Sequence, residues 1–196
     1  MRRSRSWKAE VLGVVVVAGM VGVSGAVRSP DAKPVTDPRA AAVEDGIAVF
    51  FSPEGGTADA VIYLLDRAQH SIRVQSFMFT HKKIGNALIK AHRRGVAVEL
   101  IMDRENSRIK GSVRPALRRA GITVYIAPEG MTMHNKVILI DDSLVITGSF
   151  NFTWSADRKN VENLLILRGK PRITKAYLKQ HKWVRKRSKK YATKKD

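Results

Sequence analysis

The chain has 196 residues, enough to bury an ordinary core in one domain. It carries 36 Lys or Arg against 17 Asp or Glu, a formal net charge of +19, so polyanions are its natural partners. Cysteine is absent, which excludes a disulfide framework and thiolate metal sites and leaves the redox compartment open.

At the N-terminus, Arg2, Arg3, Arg5 and Lys8 precede an uncharged, valine-rich run from Val11 to Val27. The run contains Ser24-Gly25-Ala26, small residues that a signal peptidase accepts, and falls short of the ~20 residues of a spanning helix. Residues 1–26 therefore read as a secretory signal peptide, with an uncleaved anchor as the alternative, and the product as periplasmic or secreted. Residues 27–45, with Pro30, Pro34 and Pro38, read as a flexible leader. A domain is expected over 46–185.

Within it, Ile47–Phe51 is a short apolar strand closed by a turn at Pro53 and Gly55-Gly56. Thr57 is placed to cap a helix reaching about Gln69, with Val61, Leu64, Leu65 and Ala68 inward. Ser71–Thr80 alternates like a strand, and Lys83–Arg94 follows as a helix with Ile84, Leu88 and Ala91 inward and Gly95 as its stop. Val96–Met102 is a strand, Ser112–Ala120 a helix ending at Gly121, and Ile122–Ile126 another strand. Val161–Leu167 reads as a strand, and Ile173, Ala176, Tyr177, Trp183 and Val184 as the apolar stripe of a basic helix. Thirteen Lys or Arg and one acid lie between Arg168 and Asp196, and residues 186–196 read as a basic tail. Strand–helix alternation of this kind predicts an α/β fold with a mixed, mostly parallel central sheet.

Between these elements lies the most informative stretch. His134-Asn135-Lys136 runs into four apolar residues and Asp141, and Leu144–Thr147 returns to Gly148-Ser149-Phe150-Asn151. On a strand, His134 and Lys136 project to one side, and an antiparallel return brings Ser149 and Asn151 to the same edge. An imidazole nucleophile beside a fixed cation and amide donors is what attack on an anionic phosphodiester requires.

His-x-Lys, four residues, Asp, six residues, Gly-Ser-x-Asn resembles the motif of the phospholipase D superfamily, and Asn160-Val161-Glu162-Asn163 resembles its trailing element. Phe51–Gly56 and Ser71–Thr80 look like its small, single-motif bacterial endonucleases. The similarity runs from about Ile47 to Trp183. The resemblance implies a three-layer α/β/α sandwich and catalysis without metal ions or cofactors. It also implies His134 as a nucleophile forming a phosphohistidine, Lys136 and Asn151 on the phosphate oxygens with Ser149 beside them, and Glu162 orienting His134. Asp141 matches the motif as a catalytic member, with tying down the turn as its other reading. Asn163 stands equally between the catalytic shell and a structural role.

The leaving alkoxide needs a proton, and only one His-x-Lys, that of His134 and Lys136, is followed by the Asp and Gly-Ser-x-Asn of the motif. His70, His92 and His181 read as structural histidines, and His81 with Lys82 and Lys83 as a solvated loop rather than a second site, with contact to the substrate backbone as its other reading. The economical source is a second copy of the chain, giving a homodimer with one composite site on its two-fold axis. The activity expected is that of a metal-independent phosphodiesterase, a non-specific endonuclease on DNA or RNA. The alternative is a phospholipase D acting on phospholipid head groups or cardiolipin. A non-enzymatic nucleic-acid-binding module is disfavoured by the intact set of His134, Lys136, Ser149, Asn151 and Glu162.

Overall fold

The computed structural model describes residues 42–191; the predicted signal peptide, most of the predicted leader and residues 192–196 lie outside the described residues. In chain order the elements are β1 (Ala42–Glu44), β2 (Ile47–Ser52), α1 (Thr57–Asp66), β3 (Ser71–Ser76), α2 (Lys82–Arg93), β4 (Ala97–Met102) and α3 (Arg114–Arg119). There follow β5 (Thr123–Ile126), β6 (Lys136–Ile140), β7 (Leu144–Gly148), α4 (Trp154–Arg158), β8 (Glu162–Arg168), α5 (Pro171–Arg187) and β9 (Lys189–Lys190). The strands make one sheet ordered β1-β2-β8-β7-β6-β3-β4-β5-β9.

The sheet is mixed, as expected, but it is not mostly parallel. Only β3–β4 and β4–β5 pair parallel, through the crossovers that carry α2 and α3. The other neighbours are antiparallel. Strand–helix alternation reports how the chain crosses over and not which strands become neighbours. Here β8, β7 and β6 insert between β2 and β3, each antiparallel to the next, so the βαβ unit of β2, α1 and β3 is split open.

Helices cover both faces, which is why the central strands are apolar on both sides. Ile72, Val74, Leu100, Ile138, Ile146 and Ile166 enter the main core with Val61 and Leu65 of α1, Leu88 of α2 and Leu117 of α3. The alternate positions Val137, Leu139 and Val145 face α5, where Tyr177 and Leu178, together with Leu167 of β8, pack on them. The buried stripe of α5 is Thr174, His181 and Val184, with Ile173 and Trp183 exposed. Its phase differs from the predicted one because polar His181 and Thr174 take inward positions that an apolar pattern does not mark.

Several boundaries shift. β1 lies inside the predicted leader, and α5 and β9 carry the fold into the predicted tail as far as Lys190, with Tyr125 and Ile126 paired to Lys190 and Lys189. Thr57 is buried and donates to the Phe51 carbonyl; the cap position of α1 is Gly56, in a left-handed conformation at φ 70°. His81, predicted in a solvated loop, is buried and caps α2 by accepting from the Ile84 amide at 3.4 Å. A neutral imidazole is required to accept there, and burial pushes the His81 pKa down against the pull of Asp157.

Candidate active site

Every predicted catalytic group except Asp141 gathers at one end of the sheet, where β2, β3 and β7 finish and β6 and β8 begin. Strand ends leave side chains and loop backbone free to converge, which is where sites sit in open α/β sheets.

Lys136 opens β6 opposite Ser76, and His134 precedes the strand instead of lying on it. They still meet, by folding back rather than by strand alternation. The Lys136 Nζ donates to the His134 carbonyl at 2.7 Å and stands 3.3 and 3.4 Å from the two ring nitrogens. Phe77 forms the wall behind both: its ring centroid is 4.5 Å from that of His134, and the ammonium lies 4.9 Å from it. Lys136 is buried, whereas the imidazole of His134 is exposed to the cleft. Burial holds the Lys136 ammonium below the ordinary lysine pKa, and the charge of Glu162 pulls it back up.

The loop before the site is anchored at three points around His134. The Met133 amide donates to Asp103 at 3.2 Å, the Phe77 amide to the Asn135 carbonyl at 3.0 Å, and the Asn135 side chain to Gln75 at 2.7 Å. Gln75 in turn reaches Gln180 and His181 of α5, and His181 bonds Glu99 at 2.8 Å. Asn135, between the two predicted catalytic residues, thus ties them to the opposite face of the sheet.

Across the cleft, β7 delivers Ser149 and Asn151. Gly148 has φ 151°, and a Cβ there would come 2.3 Å from the Asn163 carbonyl, so only glycine lets β8 approach this closely. Ser149 donates to Glu162 at 2.6 Å and accepts from the Asn163 amide at 3.1 Å. Asn160 donates to the other Glu162 oxygen at 3.0 Å. The carboxylate is therefore held by Ser149 and Asn160 and acts on Lys136 through space, while the Ser149 proton goes to Glu162. The Asn151 Oδ1 is buried without a hydrogen-bond partner. Such a group is costly to leave unpaired, by about 1–3 kcal/mol, and turning the amide over would offer donors at the same place. The resulting cleft of about 350 Å³ is lined by His134, Lys136, Thr147, Ser149, Asn151 and Tyr177.

Comparison with known proteins decides the family. Residues 61–184, more than half of the chain, match the family model described as the phospholipase D-like domain of cardiolipin synthase. The chain belongs to the phospholipase D superfamily. A phospholipase D of Rickettsia felis is 40% identical over 132 residues, covering 67% of this chain and 66% of that protein. A mitochondrial cardiolipin hydrolase of Xenopus tropicalis is 37% identical over 117 residues, 60% of this chain and 55% of that one. The chain thus spans just under two thirds, or less, of the length of these relatives. The crystal structure of Nuc, a phospholipase D family member from Salmonella typhimurium, superimposes with a TM-score of 0.71 at 31% identity, covering 75% of this chain and 98% of Nuc.

In this phospholipase D superfamily chain, Asp141 does not join the cluster. It sits five strand positions beyond Lys136, about 17 Å away at the far end of β6. There its carboxylate accepts from the amides of Gln69, His70 and Ser71 at 2.9, 2.7 and 2.9 Å. Its turn is left-handed at φ 51°, a conformation that Asp tolerates better than Ala. Asp141→Ala should cost about 2 kcal/mol, roughly 4–8 °C in Tm, while kcat stays within about twofold. Thermal melting alongside a rate assay checks both; a large fall in kcat with unchanged Tm would return Asp141 to the catalytic set.

Phe77 and Tyr177 were not legible as site residues. Phe77 lies just past the end of β3, where alternation stops being informative, and Tyr177 is brought in by tertiary packing of α5. Gln75 is itself buried, on the strand face it shares with half-buried Ser71 and Arg73.

Proposed function

We propose that the chain is a phosphodiesterase, a non-specific endonuclease for DNA or RNA that works through a phosphohistidine on His134 in a homodimer. The observation that carries this reading is the exposed His134 imidazole with the Lys136 ammonium 3.3–3.4 Å from its nitrogens, in a cleft shared with Asn151. His134 attacks phosphorus with its lone pair, and Lys136 and Asn151 meet the charge on the non-bridging oxygens. The P–O bond breaks as the leaving oxygen takes a proton; water then attacks the phosphohistidine and restores the imidazole.

The proton donor is assigned to His134 of a second copy. His81 and His181 are buried in other contacts, and His70 and His92 lie toward the opposite end of the sheet. Exposed Val161 and Phe51, beside Glu162 and Ser52, offer apolar surface for that partner. The basic charge favours a nucleic acid, and Nuc is matched over nearly its full length. Residues 1–26, outside the described residues, are proposed as an export signal that delivers the enzyme to the periplasm or the exterior.

One observation favours a second reading, hydrolysis of a phospholipid. A groove of about 350 Å³ beside His134 is lined by Met131, Met133, Trp183 and Val184, apolar enough to seat part of an acyl chain. The relatives named phospholipase D and cardiolipin hydrolase agree with it. The test is to incubate the protein and EDTA with plasmid and, separately, with head-group-labelled phospholipid. Cut plasmid is the expected result, released head group would establish the second reading, and loss of cleavage on chelation would break the mechanism.

A further inference from the structure

A third cavity opens at the same end of the sheet, and the chemistry above uses none of it. It encloses about 350 Å³ between the start of α2 and α4, lined by His81, Lys82, Lys83, Trp154, Asp157 and Arg158. Its placement relative to the cleavage site is fixed by backbone. Trp154 follows Asn151 by three residues, at most about 11 Å of chain. Between them, the Phe152 carbonyl accepts from both the Thr80 and His81 amides at 2.9 Å, and Thr153 caps α4 by accepting from the Ala156 amide. Phe152 itself is fully buried against Phe79 and Phe150.

The lining is odd for a structural cavity. Trp154 is 55% exposed, although a tryptophan placed only for packing would be mostly covered. Cations crowd around it: the Lys159 Nζ lies 5.3 Å from its ring, and Lys82, Lys83 and Arg158 share the cavity. The acid among them is already answered, since Asp157 is buried, takes the Arg158 guanidinium at 2.8 Å and lies 3.7 Å from His81. An open indole face among lysines is a stacking platform with phosphate partners, the combination used to hold unpaired nucleotides.

We infer that this cavity is a nucleotide subsite, in which Trp154 stacks on an unpaired base near the scissile phosphate and Lys82 and Lys83 hold that nucleotide's phosphate. The inference rests on the nuclease reading and adds a place where the strand is gripped. The subsite acts on binding and leaves the reacting atoms to His134 and Lys136.

The experiment is steady-state cleavage by the full chain of a short single-stranded oligonucleotide and of a small chromogenic phosphodiester too short to reach the cavity. Trp154→Ala should raise the oligonucleotide KM roughly 5- to 150-fold, the range for one stacked base, with kcat and small-diester turnover within about twofold. Trp154→Phe should recover most of the affinity, because a ring remains. Lys82→Ala with Lys83→Ala should flatten the salt dependence of oligonucleotide KM by about one to two in log–log slope. An unchanged KM in Trp154→Ala overturns the subsite while leaving the nuclease reading intact. An equal loss on both substrates, unrescued by Trp154→Phe, overturns it too and assigns Trp154 to holding α4 or the subunit interface. A wild-type chain that cleaves the small diester but no oligonucleotide sinks the nuclease reading itself, and the subsite with it.

Discussion

His134→Ala should abolish turnover, by at least about 10³-fold in kcat, the scale on which enzymes lose activity when the nucleophile of a cooperating set is removed. Nucleic-acid binding should persist, since the positive charge is spread along the chain and its C-terminal third, not concentrated at the imidazole. Stability should also persist. The ring is exposed and its principal packing contact is the tilted Phe77, so little apolar area returns to water. A gel-shift assay, a melting curve and a plasmid assay separate these three quantities. Mixing the variant into wild-type protein tests the composite site as well. If one protomer's imidazole attacks and the other's donates the proton, each mixed dimer is dead. An excess of variant should then depress activity well below simple dilution, once subunits have exchanged. Activity that falls only in proportion to dilution would assign both proton and nucleophile to one protomer.

The sequence carried the local part of this site far better than its surroundings. His134, Lys136, Ser149 and Asn151 sit within a short span, and the hairpin of β6 and β7 folds them toward one end, where the start of β8 adds Glu162. Asp141 looked equal to them in spacing, yet strand length carries it to the opposite end, where it serves three amides. A motif gives the order of residues; only the rise per residue says which end of a strand each occupies. Sheet order was less legible, because the insertion of β6, β7 and β8 between β2 and β3 depends on pairings between residues far apart in sequence. The same holds for His81, which looks like a polar side chain in a charged segment and is buried near Asp157 of α4, an element distant in the chain. His181 is the structural histidine expected of it, buried and bonded to Glu99. Polar residues that satisfy one another inside a fold leave no periodic trace.

The sharpest electrostatic consequence concerns Glu162→Gln. Burial favours the neutral form of Lys136, and the carboxylate of Glu162 opposes it by favouring the cation. Phosphate charge must be met by the ammonium, so activity should fall at alkaline pH as Lys136 loses its proton, below the ordinary lysine range. Glutamine keeps an oxygen to accept from Ser149 but removes the negative charge, and with it the influence that raises the Lys136 pKa. The sign follows: a cationic group with a lower pKa is neutralised at lower pH, so the alkaline limb of kcat/KM should move down in Glu162→Gln. At neutral pH the loss of one neighbouring charge should cost about tenfold in rate, ~1.4 kcal/mol. Lys136→Met supplies the control. It should lose far more activity at neutral pH and show no lysine limb in what remains. A Glu162→Gln profile whose alkaline limb stays in place, or moves upward, would mean that the titrating group is not Lys136. It would also mean that the charge of Glu162 is spent on a different partner.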